Sequence, residues 1–208
     1  MEIKNTKVYG LEEAIIASHY PMSIDEFLDY GSVKESDLKR AKKLGSAAAR
    51  SGHDTFLKGI LLSTDITAPQ YFWQQFQRYH FWDFVSSQSK MHSITQINLE
   101  KRCNKYVDQR VITILKQYIE DYKQSPTQEG FQRVLSNVPM GLELTARITT
   151  NYLQLKTIYS QRKNHRLGEW HFFCEWCENL PNFIELTRNE QKEEQHGKKS
   201  AHRNLDNS

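Results

Sequence analysis

The stretch from Ser51 to His92 constrains the fold more than any other, because it reads as one strand, one turn and one helix in direct succession. Ile60 to Ile66 is apolar and β-branched, the composition of a largely buried strand. Thr67-Ala68-Pro69 supplies a hydroxyl N-cap with proline close behind, which predicts a helix start. Phe72, Trp73, Phe76 and Tyr79 then recur at three- and four-residue steps and predict an apolar helix face. Gln74, Gln75, Gln77, Arg78 and His80 occupy the rest of that helix surface. Beyond it, Ser86, Ser87, Gln88, Ser89 and Lys90 are expected in a loop where the helix frays. A rigid platform that delivers arginine, histidine, lysine and hydroxyls to one loop suits phosphates and flat rings.

Around this unit the pattern alternates between helix and strand. Met1 to Val8 reads as a strand, and Leu11 to Ser18 and Ile24 to Tyr30 as short helices, the second behind the N-cap Ser23. Ser36-Asp37 opens a helix through Arg50, with Leu38, Ala41, Leu44 and Ala48 inward and the cations Lys39, Arg40, Lys42 and Lys43 on a solvated face. Val107 to Lys123 is amphipathic, with Val111, Ile114, Leu115 and Ile119 on one stripe. A polar break over 124–128 precedes a helical piece from Phe131 to Leu135, which Val138-Pro139 interrupts. A long helix is expected from Gly141 to Arg162, another from Leu167 to Asn179 closed by Leu180-Pro181, and a terminal strand from Phe183 to Leu186. From Arg188 onward the chain is polar and carries no aromatic residue, the composition of a disordered tail. The expected fold class is α/β (α+β): one domain over 1–187, a small mixed sheet flanked by several helices, and a tail over 188–208.

Composition narrows the function classes. A formal charge of +3 over 208 residues tolerates an anionic ligand but lacks the concentrated Lys and Arg of a nucleic-acid binder. No apolar run approaches the roughly 18 residues that span a bilayer, and the N-terminus has no signal-peptide block, so a cytoplasmic location is expected. Cys174-Glu-Trp-Cys177 has CxxC spacing with His171 nearby, yet no second pair offers the fourth ligand that tetrahedral zinc needs. Packed thiols are the expected reading, with no metal. Neither a Ser-His-Asp arrangement nor a carboxylate pair stands out, so no catalytic side chain is assigned.

A second cluster lies late in the chain. Asn151 offers an amide that can hydrogen-bond a heteroaromatic ring, and Arg162 ends a helix where the dipole favours a cation. The order and spacing of these pieces resemble the flavin-dependent thymidylate synthases. That family carries a His ahead of small hydroxyls, a strand, a helix ending in Gln-x-x-Arg-His-Arg, then Ser-x-Arg-Tyr, and a later Leu-Pro before a helix that holds an Asn and an Arg. Here His53 precedes Arg78 with Thr55 in the hydroxyl place, and Gln75-Phe76-Gln77-Arg78 matches the Gln-x-x-Arg. Pro139, Asn151 and Arg162 follow in order, and Glu169-Trp170 echoes the family's Gln-Trp pair. The departures fall inside the signature: Arg78-Tyr79-His80 replaces Arg-His-Arg, Ser86 stands for an acidic residue, Gln88 takes the serine place, and Lys90 replaces an arginine.

The resemblance implies a homotetramer with a flavin lying across subunits. It implies that His53, Thr55, Arg78, Tyr79, His80, Ser86 and Asn151 bind FAD, and that Gln75, Gln88, Ser89, Lys90 and Arg162 bind dUMP. NADPH and 5,10-methylenetetrahydrofolate are the implied co-substrates, and methylation of dUMP to dTMP the implied reaction. Two alternatives stay open: a flavin- or nucleotide-binding homologue without turnover, of phage origin, and a nucleic-acid-binding module that stacks bases on Trp73, Tyr79, Phe81 and Trp82.

Overall fold

The computed structural model describes residues 1–48 and 51–188. In chain order the elements are β1 (Glu2–Tyr9), α1 (Leu11–Ala17), α2 (Glu35–Gly45), β2 (Leu61–Pro69), α3 (Gln70–Phe76), β3 (Asp83–Ser87), α4 (Lys90–Ser93), α5 (Leu99–Arg102), α6 (Gln109–Gln124), α7 (Gln128–Ser136), β4 (Glu143–Asn151), α8 (Tyr152–Arg162), α9 (Gly168–Glu178) and α10 (Phe183–Thr187). The fold is mixed α/β, as expected, with one four-stranded sheet in the order β1-β2-β4-β3. No helix among the described residues is long and apolar enough to cross a membrane.

The chain forms two compact units, each assembled from separate stretches of sequence. The first comprises 1–7, 62–150 and 167–172. Its sheet alternates as a half-buried sheet must: Leu62, Thr64, Ile66 and Ala68 of β2 and Ala146, Ile148 and Thr150 of β4 are buried at two-residue steps. On it lies an aromatic cluster in which the Phe72 and Trp170 rings are 4.6 Å apart and those of Phe76 and Trp82 4.2 Å apart. A second cluster joins α6 and α7 through Ile112, Leu115, Ile119 and Val134, with Ile94, Leu99 and Leu142.

The second unit comprises 8–61, 151–166 and 173–208, of which 49–50 and 189–208 lie outside the described residues. Ile15, Ala41, Leu57, Ile60, Leu155, Ile158, Phe183 and Leu186 form its core. At Gly45 the last turn of α2 meets α10 so closely that a Cβ would stand 2.0 Å from the Leu186 carbonyl oxygen.

Several elements differ from expectation for identifiable reasons. The single helix expected over 141–162 is a strand and then a helix. Pairing partners on both sides take up the backbone of 143–151, where Thr149 and Thr150 favour extension. Asn151 then starts α8 by accepting from the Gln154 amide at 3.1 Å. Likewise α3 stops at Phe76, and 83–87 forms strand β3 antiparallel to β4 rather than a frayed helix end. Thr67 remains in β2, its hydroxyl 2.8 Å from that of Thr145, and Pro69 takes the N-cap position instead.

No helix forms over 24–30. The Ser23 hydroxyl accepts from the Asp25 amide at 3.1 Å in a local turn, and Ile24 and Phe27 are exposed, so no buried face offsets the cost of nucleation. Helix α2 ends at Gly45 and not at Arg50, which lies outside the described residues. Its Arg40 turns inward to Asp37, at 2.8 Å, and to Ser18. On α6 the buried stripe is Ile112, Leu115 and Ile119, while Val111 and Ile114 face solvent. Residues 183–187 are helical, and the expected tail falls, from residue 189, outside the described residues.

Candidate functional site

In the first unit, α3 begins immediately after β2, so its side chains stand over the ends of β3 and β4. Between them opens a cavity of about 270 Å³. Gln70, Trp73, Gln74 and Gln77 line it from α3, Phe84, Ser87, Gln88 and Lys90 from β3 and the residues after it, and Leu144, Thr145 and Ala146 from β4. Trp73 is fixed in this wall by donating from Nε1 to the Leu144 carbonyl at 3.1 Å, and the Phe84 ring lies 5.5 Å from it. One side of the cavity is therefore aromatic.

The other side is polar and strictly oriented. Gln70 donates from Nε2 to the Pro139 carbonyl at 2.9 Å, which turns its Oε1 to accept from the Lys90 ammonium. Gln88 continues the β3–β4 ladder: its amide donates to the Thr145 carbonyl at 2.9 Å, and its Oε1 accepts from the Thr145 amide at 3.0 Å. The same Oε1 accepts from Arg102 Nη2, and Arg102 also donates to the Glu143 carbonyl through Nε and Nη2, at 3.1 and 2.9 Å. Among the described residues no aspartate or glutamate lines the cavity, and Lys90 is its one charged lining residue. That arrangement attracts an anion and leaves a flat apolar wall beside it.

Of the residues singled out from the sequence, the cavity brings Gln88 and Lys90 together. Gln75 points away, accepting from Trp170 Nε1 at 2.9 Å, while its neighbours Gln74 and Gln77 line the wall. Ser86 lies opposite Arg147 in the β3–β4 ladder, and the Ser89 carbonyl accepts from the Ser93 hydroxyl at 2.7 Å at the start of α4. Arg78 and His80 follow α3 with exposed side chains, and Tyr79 is half-buried with its ring edge toward Trp170. Of the aromatics considered for base stacking, Trp73 and Trp82 are buried and Phe81 is exposed.

In the second unit His53 is exposed, the Thr55 hydroxyl donates to the Gly52 carbonyl at 2.7 Å, Asn151 caps α8, and Arg162 is the last residue of that helix. Cys174 and Cys177 are buried there, and desolvation pushes the Cys174 thiol up to about 11. No group of three metal-ligating side chains occurs among the described residues.

Arg102, Gln74 and Gln77 join the site without having been expected in it. Arg102 carries no local signal, because its contact lies 14 residues back along the chain. The two glutamines differ from Gln75 only by helix phase.

No protein-family model and no curated protein matches this sequence. Solved structures do. The flavin-dependent thymidylate synthase ThyX from Helicobacter pylori, complexed with FAD and dUMP, superposes with a TM-score of 0.67 at 15% identity, over 89% of this chain and 96% of that one. The UMP/dUMP methylase PolB from Streptomyces cacaoi, bound with 5-Br dUMP, gives a TM-score of 0.58 at 14% identity, over 89% and 92%. This chain has the fold of those two enzymes.

Proposed function

We propose that the protein methylates dUMP, or a closely related pyrimidine nucleotide, with a bound flavin. The observation that carries this reading is the cavity beside α3: donors from Lys90 and Gln88, no carboxylate among the described residues, and an aromatic wall from Trp73 and Phe84. A phosphate oxygen takes hydrogen bonds from an ammonium and an amide, and a pyrimidine ring packs against apolar aromatic surface. The fold supports the reading, because one enzyme that shares it was solved with FAD and dUMP and another with 5-Br dUMP.

In this proposal Lys90 and Gln88 bind the nucleotide, with Ser89 and Arg162 completing the set, while Gln75, turned to Trp170, stands outside it. His53, Thr55, Arg78, Tyr79, His80, Ser86 and Asn151 hold FAD. A guanidinium, two imidazoles, two hydroxyls, a phenol and an amide match the charge and acceptor pattern of a diphosphate and a flavin ring edge. When bound, FAD carries the reducing electrons from NADPH, and 5,10-methylenetetrahydrofolate supplies the carbon, so dUMP, the folate, NADPH and a proton become dTMP, tetrahydrofolate and NADP⁺. The chain's own residues bind and orient. The assembly is a homotetramer in the cytoplasm, with residues 1–187 acting as one catalytic domain.

The purified protein should be yellow. With NADPH and the folate it should release tritium from position 5 of labelled dUMP. A colourless protein that binds no dUMP refutes the reading, and a colourless one that binds dUMP leaves a nucleotide-binding homologue without turnover.

A further inference from the structure

We infer that Arg102 is a positioning residue that makes Gln88 an obligate hydrogen-bond donor, so that this wall of the cavity selects acceptor oxygens on its ligand and rejects donor groups. The inference rests on the cavity being a pyrimidine-nucleotide site, and it assigns which end of one amide meets that nucleotide.

A glutamine amide is nearly symmetrical in shape and opposite in chemistry at its two ends. Which end faces a ligand is decided by what holds the other. Here Thr145 N and Arg102 Nη2 can only donate, and both aim at Gln88 Oε1. Turning the amide over would set its hydrogens against two donors. Arg102 cannot swing aside freely either, since Nε and Nη2 both donate to the Glu143 carbonyl. A chain of constraint therefore runs from a β4 carbonyl through a guanidinium to the amide, and Gln88 Nε2 is the end with no protein partner among the described residues.

The neighbouring groups reinforce the polarity. Lys90 donates only. Gln70 turns its Oε1 to Lys90 and its Nε2 to the Pro139 carbonyl. A phosphate oxygen or a ring carbonyl satisfies such a surface. An exocyclic amine, as on cytosine, would face amide hydrogens.

The test is dUMP, deoxyuridine and dCMP binding by titration calorimetry on the full chain. Arg102→Leu removes one of the two donors that hold Oε1 and leaves the Thr145 amide alone to orient it, and should lower one of two affinity ratios by up to about tenfold. A fall in dUMP over deoxyuridine places Gln88 on the phosphate, and a fall in dUMP over dCMP places it on the base. Arg102→Lys, which restores a donor to Oε1, should recover part of the lost ratio. Gln88→Glu keeps the acceptor contacts to Thr145 and Arg102, removes the amide hydrogens and adds a negative charge, so its effect on uncharged deoxyuridine separates the lost donor from repulsion of the phosphate. It should weaken dUMP binding about tenfold without lowering Tm, and it reports even where Arg102→Leu fails to fold. Wild-type affinities and ratios in Gln88→Glu and in any folded Arg102→Leu overturn the inference. A wild-type protein that binds no dUMP overturns the underlying site and the inference together.

Discussion

Lys156 Nζ stands 2.6 Å from Asp54 Oδ2 and also donates to the carbonyls of Gly45 and Ala47, at 2.7 and 2.9 Å. One ammonium thereby joins α8 to the end of α2 and to the turn that carries His53 and Thr55. Both side chains are almost out of water, 12% and 3% exposed.

Such a pair adds little net stability, because desolvation offsets attraction, but removing one partner strands the other charge. Lys156→Met should cost about 3–5 kcal/mol in urea unfolding. The double variant Asp54→Asn/Lys156→Met should regain part of that, since no bare carboxylate remains.

Gly45→Ala should lower stability by about 1–3 kcal/mol, because the new methyl has no room against the Leu186 carbonyl and the Phe56 ring. Gly168→Ala, at the open start of α9, is the control: nothing lies within 4 Å of its Cβ, and Tm should hold or rise.

The buried thiols set an alkaline limit. Burial raises both Cys174, to about 11, and Cys177, so the folded state favours their protonated forms. The stability they support is complete below the unfolded thiol value of about 8.5 and is lost as pH rises toward the folded values. Tm should fall between about pH 9 and 11, and Cys177→Ala should flatten that decline. At pH 8 about one Cys174 in a thousand is thiolate, so Ellman's reagent should react with it only after unfolding.

Arg78→Ala should abolish flavin retention, read as absorbance near the flavin band after gel filtration, while leaving Tm unchanged. The side chain is exposed, so it carries little of the folding energy.

Arg162→Ala should weaken dUMP binding by about 1.5–3 kcal/mol, the range for a hydrogen bond to a charged group. Calorimetry that returns the wild-type Kd removes Arg162 from the nucleotide site.

How much of this was legible depended on whether a local pattern coincided with burial. The α3 face was readable because Phe72, Trp73 and Phe76 are all buried and lie at helical steps. α6 was readable because its apolar period is regular: Leu115 and Ile119 of the expected stripe are buried, although Val111 and Ile114 face solvent and Ile112 takes their place. β4 was missed because Leu142, Glu143, Leu144 and Ala146 are good helix formers, and only pairing on both sides makes that stretch extended. β3 was missed because all five of its residues are exposed, which erases the alternation that marks a strand. In the cavity, Gln88 and Lys90 came from resemblance, whereas Arg102 acts through a contact no spacing rule anticipates.

The β3–β4 register has a consequence beyond the strand itself. Phe84 faces Ile148 and Ser86 faces Arg147, so Val85 is surplus to the ladder. Were Val85 itself paired with Arg147, residue 88 would stand against Leu144, but the valine loops out and Gln88 meets Thr145. Drawing that one valine, which is not among the lining residues, into the ladder would rewrite the wall's hydrogen bonding while every lining residue kept its identity. Ligand preference in this architecture can thus turn on a one-residue slip at a position that no comparison of lining residues would inspect.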